Sequence, residues 1–92
     1  MLTDIPKYIG GAKALYISKL NPAFCNVVRF NTKILIEFIC VCQYENETGF
    51  YLFGCDKNFD THTDYYYDDL DDALDDAKQI YQIETIEWKQ IN

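Results

Sequence analysis

Positive charge is scarce in this chain, and so is any pattern that would mark a catalytic centre. Eight Lys and Arg stand against fifteen Asp and Glu, for a net charge of -7. The eight bases are scattered, whereas phosphate contacts need clustered cations, so direct nucleic-acid binding is disfavoured. His62 is the only histidine. There is no HExxH pair, no glycine-rich phosphate loop and no serine at a strand–turn–helix elbow. A Cys–His nucleophile pair would need a proximity that sequence spacing does not supply. Carboxylate pairs can be drawn from so many aspartates that none is singled out. The expectation is a protein that is not an enzyme. No apolar run approaches the roughly 20 residues that cross a bilayer. The opening MLTDIPKYIGG carries an acid and no apolar signal region. Without export, Cys25, Cys40, Cys42 and Cys55 are expected to be reduced thiols in a cytoplasmic protein with no membrane association.

What is abundant is apolar and aromatic content: 49% of the 92 residues are hydrophobic and 16% are aromatic. That composition argues against disorder and supports one small domain, residues 1–92. Negative charge is just as uneven. From Asp56 to Asp76 there are nine aspartates and a single base, Lys57, so the rest of the chain is nearly neutral. A localised excess of this kind bears on partners and solubility rather than on fold.

Taken in order, Asp4, Pro6 and Gly10–Gly11 bracket a short helical turn. Ala14–Leu20 reads as a strand that Asn21–Pro22 ends, and Phe24–Phe30 reads as a second. A turn over Asn31–Lys33 leads into the most apolar run, Lys33–Tyr44. Its even positions, Ile34 to Tyr44, would line one face, and Leu35, Ile39 and Val41 half-fill the other, as in a central strand. Phe50–Cys55 and Thr61–Tyr67 continue an antiparallel meander, with polar turns at 45–49 and 56–60. A helix follows. Asp69 is placed as N-cap, with Asp72 three residues on. Leu70, Ala73, Leu74, Ala77, Ile80 and Tyr81 fall on one stripe, and Asp71, Asp72, Asp75 and Asp76 on the other side. Ile83–Ile91 reads as a closing strand with Ile86 and Trp88 on one face. The fold class is α+β: an antiparallel β-meander of about five or six strands with one amphipathic helix packed on one face.

Two motifs invite a metal. Asp56-x-Asn58-x-Asp60 resembles the start of a calcium loop, but Thr61 replaces the turn glycine and Tyr67 the closing glutamate. An Asx-type turn explains the same residues. Cys40-x-Cys42 places two thiols on one strand face, a spacing more typical of core packing than of zinc turns. No metal or cofactor is expected. The acidic helix face also has a plain reading, a solvated surface. Against it, Asp71–Asp75 and Asp72–Asp76 repel at i,i+4, and Asp is a poor helix former. Such a face beside tyrosines suits a basic protein partner.

The run YLFGCDKNFDTHTDYYYDDLDDALDDAKQIY, followed by IEWKQI, resembles the C-terminal half of immunity proteins from bacterial polymorphic-toxin systems, including contact-dependent growth inhibition. The resemblance covers strand, loop, strand, capped helix and Trp-containing final strand. It implies a non-enzymatic inhibitor that neutralises a cognate toxin domain, often a basic nuclease, by tight one-to-one binding. It carries over no binding residue. From charge and position, the partner-binding set is expected to be Asp64, Tyr66, Asp68, Asp71, Asp72, Asp75 and Asp76. Two alternatives stand beside it: a phage-type acidic mimic of nucleic acid, and a small metal-binding module. The sequence indicates no oligomeric state.

Overall fold

The computed structural model describes residues 5–91. Among the described residues there are six strands and one helix: β1 (Tyr8–Ile9), β2 (Ala12–Arg29), β3 (Thr32–Gln43), β4 (Phe50–Cys55), β5 (Thr61–Tyr67), α1 (Leu70–Ile80) and β6 (Lys89–Gln90). The strands form one antiparallel sheet in the order β1-β2-β3-β4-β5, and β6 pairs with β2. This is the expected α+β meander with a helix against one face, although strand dominates.

The N-terminal part differs from the sequence reading. Asp4 lies outside the described residues, and the described part of that stretch is a β-hairpin, not a helical turn. Gly10 and Gly11 form its two-residue turn with φ of +59° and +82°. Two successive left-handed residues are what a type I′ hairpin turn requires, and glycine supplies them without a Cβ clash. β2 is likewise one strand, not two. It runs through Asn21–Pro22, whose peptide bond is cis, and pairs with β3 on both sides of an irregularity between Lys19 and Phe24. The proline is tolerated because, among the described residues, the outer edge of β2 is paired only at Lys13 and Ala12 by β1 and at Tyr16 and Ile17 by β6. A missing N–H there leaves no broken ladder. The β2–β3 turn falls on Phe30–Asn31, one residue earlier than expected, with Arg29 opposite Thr32.

Each face of the sheet carries a core. On the helix side, Leu20, Ile36, Ile39, Val41 and Leu52 pack with Ala73, Ala77 and Tyr81. On the other side lie Ile9, Ala12, Ala14, Ile17, Phe38, Phe53 and the three thiols Cys40, Cys42 and Cys55. β3 is thus buried on both faces, as a central strand should be. Its even positions do not share one face, however. Ile34 and Ile36 pack on the helix side, whereas Phe38, Cys40, Cys42 and Tyr44 pack on the opposite side. The switch coincides with the β2 irregularity, where twist increases locally. The sheet curls so far that the β1 turn nears β5. A Cβ on Gly10 would stand 3.4 Å from the Thr61 methyl, and Tyr44 Oη donates to the Gly10 carbonyl at 2.8 Å. The second core therefore fills the inside of a half-barrel.

The expected helix stripe is the buried one: Leu70, Ala73, Leu74, Ala77, Ile80 and Tyr81 all pack into the helix-side core. Asp69 occupies the N-cap with extended backbone, but its side chain makes no capping hydrogen bond. At the other end, Gln82 takes a φ of +57°. The Ile83 amide returns to the Lys78 carbonyl at 2.9 Å, and the Gln82 amide to Gln79 at 3.4 Å. This Schellman arrangement satisfies the last carbonyls with glutamine where glycine is usual. The expected closing strand shrinks to Lys89–Gln90, although Ile86 and Trp88 do pack together on the helix-side core.

Candidate functional site

The outward side of α1 supplies the acidic surface. Periodicity that buries Ala73 and Ala77 turns Asp71, Asp72 and Asp75 to solvent, and all three are exposed. Among the described residues the only basic and acidic side chains within 4.0 Å of each other are His62 and Asp56, so no cation neutralises these three carboxylates. Asp76 differs. It is half-buried, and Tyr67 Oη donates to its Oδ2 at 2.8 Å. Burial, and then the Asp76 carboxylate, push the Tyr67 hydroxyl well above its ordinary pKa. Asp76 is therefore committed within the molecule rather than presented with its neighbours.

Strand alternation splits the rest of the expected set. On β5, Thr63, Tyr65 and Tyr67 face the helix side. Thr63 Oγ1 lies 2.7 Å from Tyr81 Oη, and Tyr67 packs into the helix-side core. Asp64 and Tyr66 point to the opposite face. Tyr66 lies over Gly49 with its ring 5.2 Å from that of Tyr51, and Asp64 borders a small cavity with Gly10, Tyr44 and Phe53. These two do not share a surface with Asp71, Asp72 and Asp75. Asp68 is exposed at the β5–α1 junction. Desolvation, followed by a hydrogen bond from its own hydroxyl to Asp68, raises the Tyr66 pKa. The aromatic on the helix side is Tyr65, 41% exposed and close enough to Tyr67 and Tyr81 to raise both hydroxyl pKa values. Strand alternation along β5 turns Tyr65 and Tyr66 to opposite faces. Which face receives the helix was not in that pattern.

The loop at 56–60 is built by Asp56. Its Oδ1 accepts from the Asn58 amide at 2.8 Å and from the Asp60 amide at 3.1 Å. Its Oδ2 accepts from His62 Nε2 at 2.8 Å. Desolvation works to raise the Asp56 pKa, but these hydrogen bonds outweigh it and the net shift is downward. Arg29 Nη1 stands 3.3 Å from His62 Nδ1. Arginine can only donate, so Nδ1 accepts and Nε2 carries the proton given to Asp56. His62 is the extra residue of a β-bulge, since Gly54 opposes Thr63 while Cys55 opposes Thr61. The bulge aims the ring back at Asp56.

Cys40, Cys42 and Cys55 are fully buried free thiols in the half-barrel core, and Cys25 is exposed. A hydrogen bond with Cys55, then burial, push the Cys40 thiol far up, and burial pushes Cys42 up to about 12. Such thiols are inert at neutral pH. Among the described residues no three His, Cys, Asp or Glu side chains converge as a metal-binding group, and no helix is long and apolar enough to cross a membrane. No protein-family model, curated protein or solved structure matches the chain.

Proposed function

We propose that the chain is a non-enzymatic binding protein that neutralises a basic partner through the outward face of α1, in the manner of an immunity protein acting on a cognate toxin domain. The supporting observation is the set Asp71, Asp72 and Asp75, exposed on one helix face with no cation within 4.0 Å among the described residues. Like charges held at i,i+4 weaken the helix by some tenths of a kcal/mol. A cationic partner would relieve that repulsion and be steered toward it. Tyr65 offers an aromatic contact on the same side of the sheet. Asp76, bound to Tyr67, and Tyr66, on the face of β5 opposite the helix, are left out of the contact set.

The test is growth rescue by co-expression with the product of the neighbouring open reading frame, together with the salt dependence of the purified complex. The parent chain should rescue growth and bind less tightly as salt rises. The triple variant Asp71→Lys, Asp72→Lys, Asp75→Lys should lose rescue while keeping its thermal transition. Rescue by a folded triple variant would remove α1 as the interface.

A further inference from the structure

Six large apolar side chains are strongly exposed among the described residues, and three of them, Val28, Phe30 and Leu35, sit on the arm formed by the ends of β2 and β3. β4 pairs with β3 only from Phe38 onward, and β6 reaches no further along β2 than Ile17, so the arm is two-stranded. Phe30 at its tip is 94% exposed with φ of +53°. Left-handed backbone is disfavoured for bulky residues, and a two-residue turn of this kind prefers Asn or Gly. Neither burial nor turn geometry accounts for phenylalanine here. The tip is also held in place, because Arg29 is tied through His62 to Asp56.

The same molecule carries a receptor for such a knob. A groove of about 660 Å³ runs between Ser18–Cys25 of β2 and residues 81–87 after the helix. Phe24, Ile83 and Ile86 give it an apolar part, flanked by Asn21, Gln82 and Thr85, and Glu84 and Glu87 make its rim acidic, with Lys19 as the one base. Among the described residues, Lys33 beside the knob has no acidic partner within 4.0 Å. At roughly 3.3 Å per strand residue, the tip stands about 15 Å beyond Cys25 at the groove's edge. Two copies related by a twofold axis, antiparallel to each other, can each place Phe30 in the other's groove, with Lys33 against Glu84 and Glu87. Both contacts then close in one symmetric pair and leave no open end to propagate.

We infer that the chain forms a twofold dimer in which Phe30 of each copy fills the groove of the other. The experiment is sedimentation velocity on the intact chain from micromolar to millimolar concentration. The parent should dimerise. Phe30→Gly should weaken the dimer by roughly 30-fold or more, as loss of a central aromatic anchor does. It should not lower the unfolding midpoint, because glycine takes the left-handed turn freely. Lys33→Glu, and separately the double variant Glu84→Lys, Glu87→Lys, should each weaken self-association. Mixed together they should form a heterodimer, since one of its two contacts is restored by the swap and the other is native. A parent that stays monomeric, a Phe30→Gly variant that dimerises like the parent, or a mixture that fails to pair would each overturn the dimer.

Discussion

Adding one methyl group at Gly54 should damage the fold far more than adding it at Gly49. On Gly54 a Cβ would collide with Thr63 Oγ1, stand 2.7 Å from Tyr81 Oη and lie 3.1 Å from Ile36 Cγ2. None of these can swing away. Thr63 is on the neighbouring strand, Ile36 and Tyr81 are buried, and the Tyr81 ring is held edge-on by Phe24 at 5.3 Å. The methyl must also break the 2.7 Å Thr63–Tyr81 hydrogen bond that fastens the end of α1 to β5. Overpacking and the lost bond together come to about 2–4 kcal/mol, less the few tenths gained by restricting the unfolded chain. For a domain of this size that lowers Tm by at least about 10 °C. A Cβ on Gly49 would also collide, with the Tyr66 ring, but Tyr66 is 52% exposed and can rotate into solvent. Gly49→Ala should therefore stay within about 1 kcal/mol of the parent. Both are read by urea unfolding followed through Trp88, the only tryptophan, half-buried against the helix-side core. Equal stability of Gly54→Ala and the parent would show that Tyr81 is not locked against the sheet as described.

Two further outcomes test the packing at either end of the molecule. Tyr67→Phe deletes the donor to Asp76, a hydrogen bond to a charged acceptor, and should cost about 1–2 kcal/mol with half-burial discounted; a double-mutant cycle with Asp76→Ala should show coupling of about 1 kcal/mol, and zero coupling would refute the contact. Cys42 keeps its proton in the fold up to about 12, whereas the unfolded thiol loses it from about 9. Its contribution is therefore complete below pH 9 and lost as pH rises toward 12, at about 1.4 kcal/mol per unit, or roughly 2 kcal/mol by pH 10.5. Cys40, Tyr67 and Tyr81 shift in the same direction, so urea midpoints that do not move between pH 8 and 10.5 would contradict the burial of these groups.

The parts of this fold legible in the sequence are those where one local pattern admits one outcome. The helix stripe from Leu70 to Tyr81 repeats at the helical period, and only burial of that face explains it. β3 announces itself by being apolar on both sides. Where the pattern serves two structures, the reading fails. Gly10–Gly11 stops a helix as well as it turns a hairpin, and the hairpin prevails because β2 offers Lys13 and Ala12 as partners. Asn21–Pro22 breaks a strand only if both its edges must pair, and among the described residues the outer edge of β2 there has no partner. The acidic set suffers from the same ambiguity. Charge marks Asp64 and Asp76 as readily as Asp72, yet one points away from the helix and the other is bound to Tyr67. Phe30 was invisible because an apolar residue in a β-like run is expected to be covered.

The two proposed contacts use different elements, and that makes them separable. The acidic contact belongs to the outward face of α1. The self-contact belongs to the β2–β3 arm, the β2 irregularity and residues 81–87. Phe30→Gly should weaken the dimer and leave rescue of growth intact, because no carboxylate of α1 changes. The α1 triple variant should lose rescue and still dimerise, because neither knob nor groove changes. If each variant instead lost both properties, the arm and the helix would have to be parts of one surface. A partner large enough to span the end of the sheet would then fit better than two independent contacts. The fold itself resists that merger: Tyr81 and its Schellman turn end α1 where residues 81–87 turn off to form one wall of the groove. The carboxylates at Asp71, Asp72 and Asp75 lie one to three turns earlier on the helix.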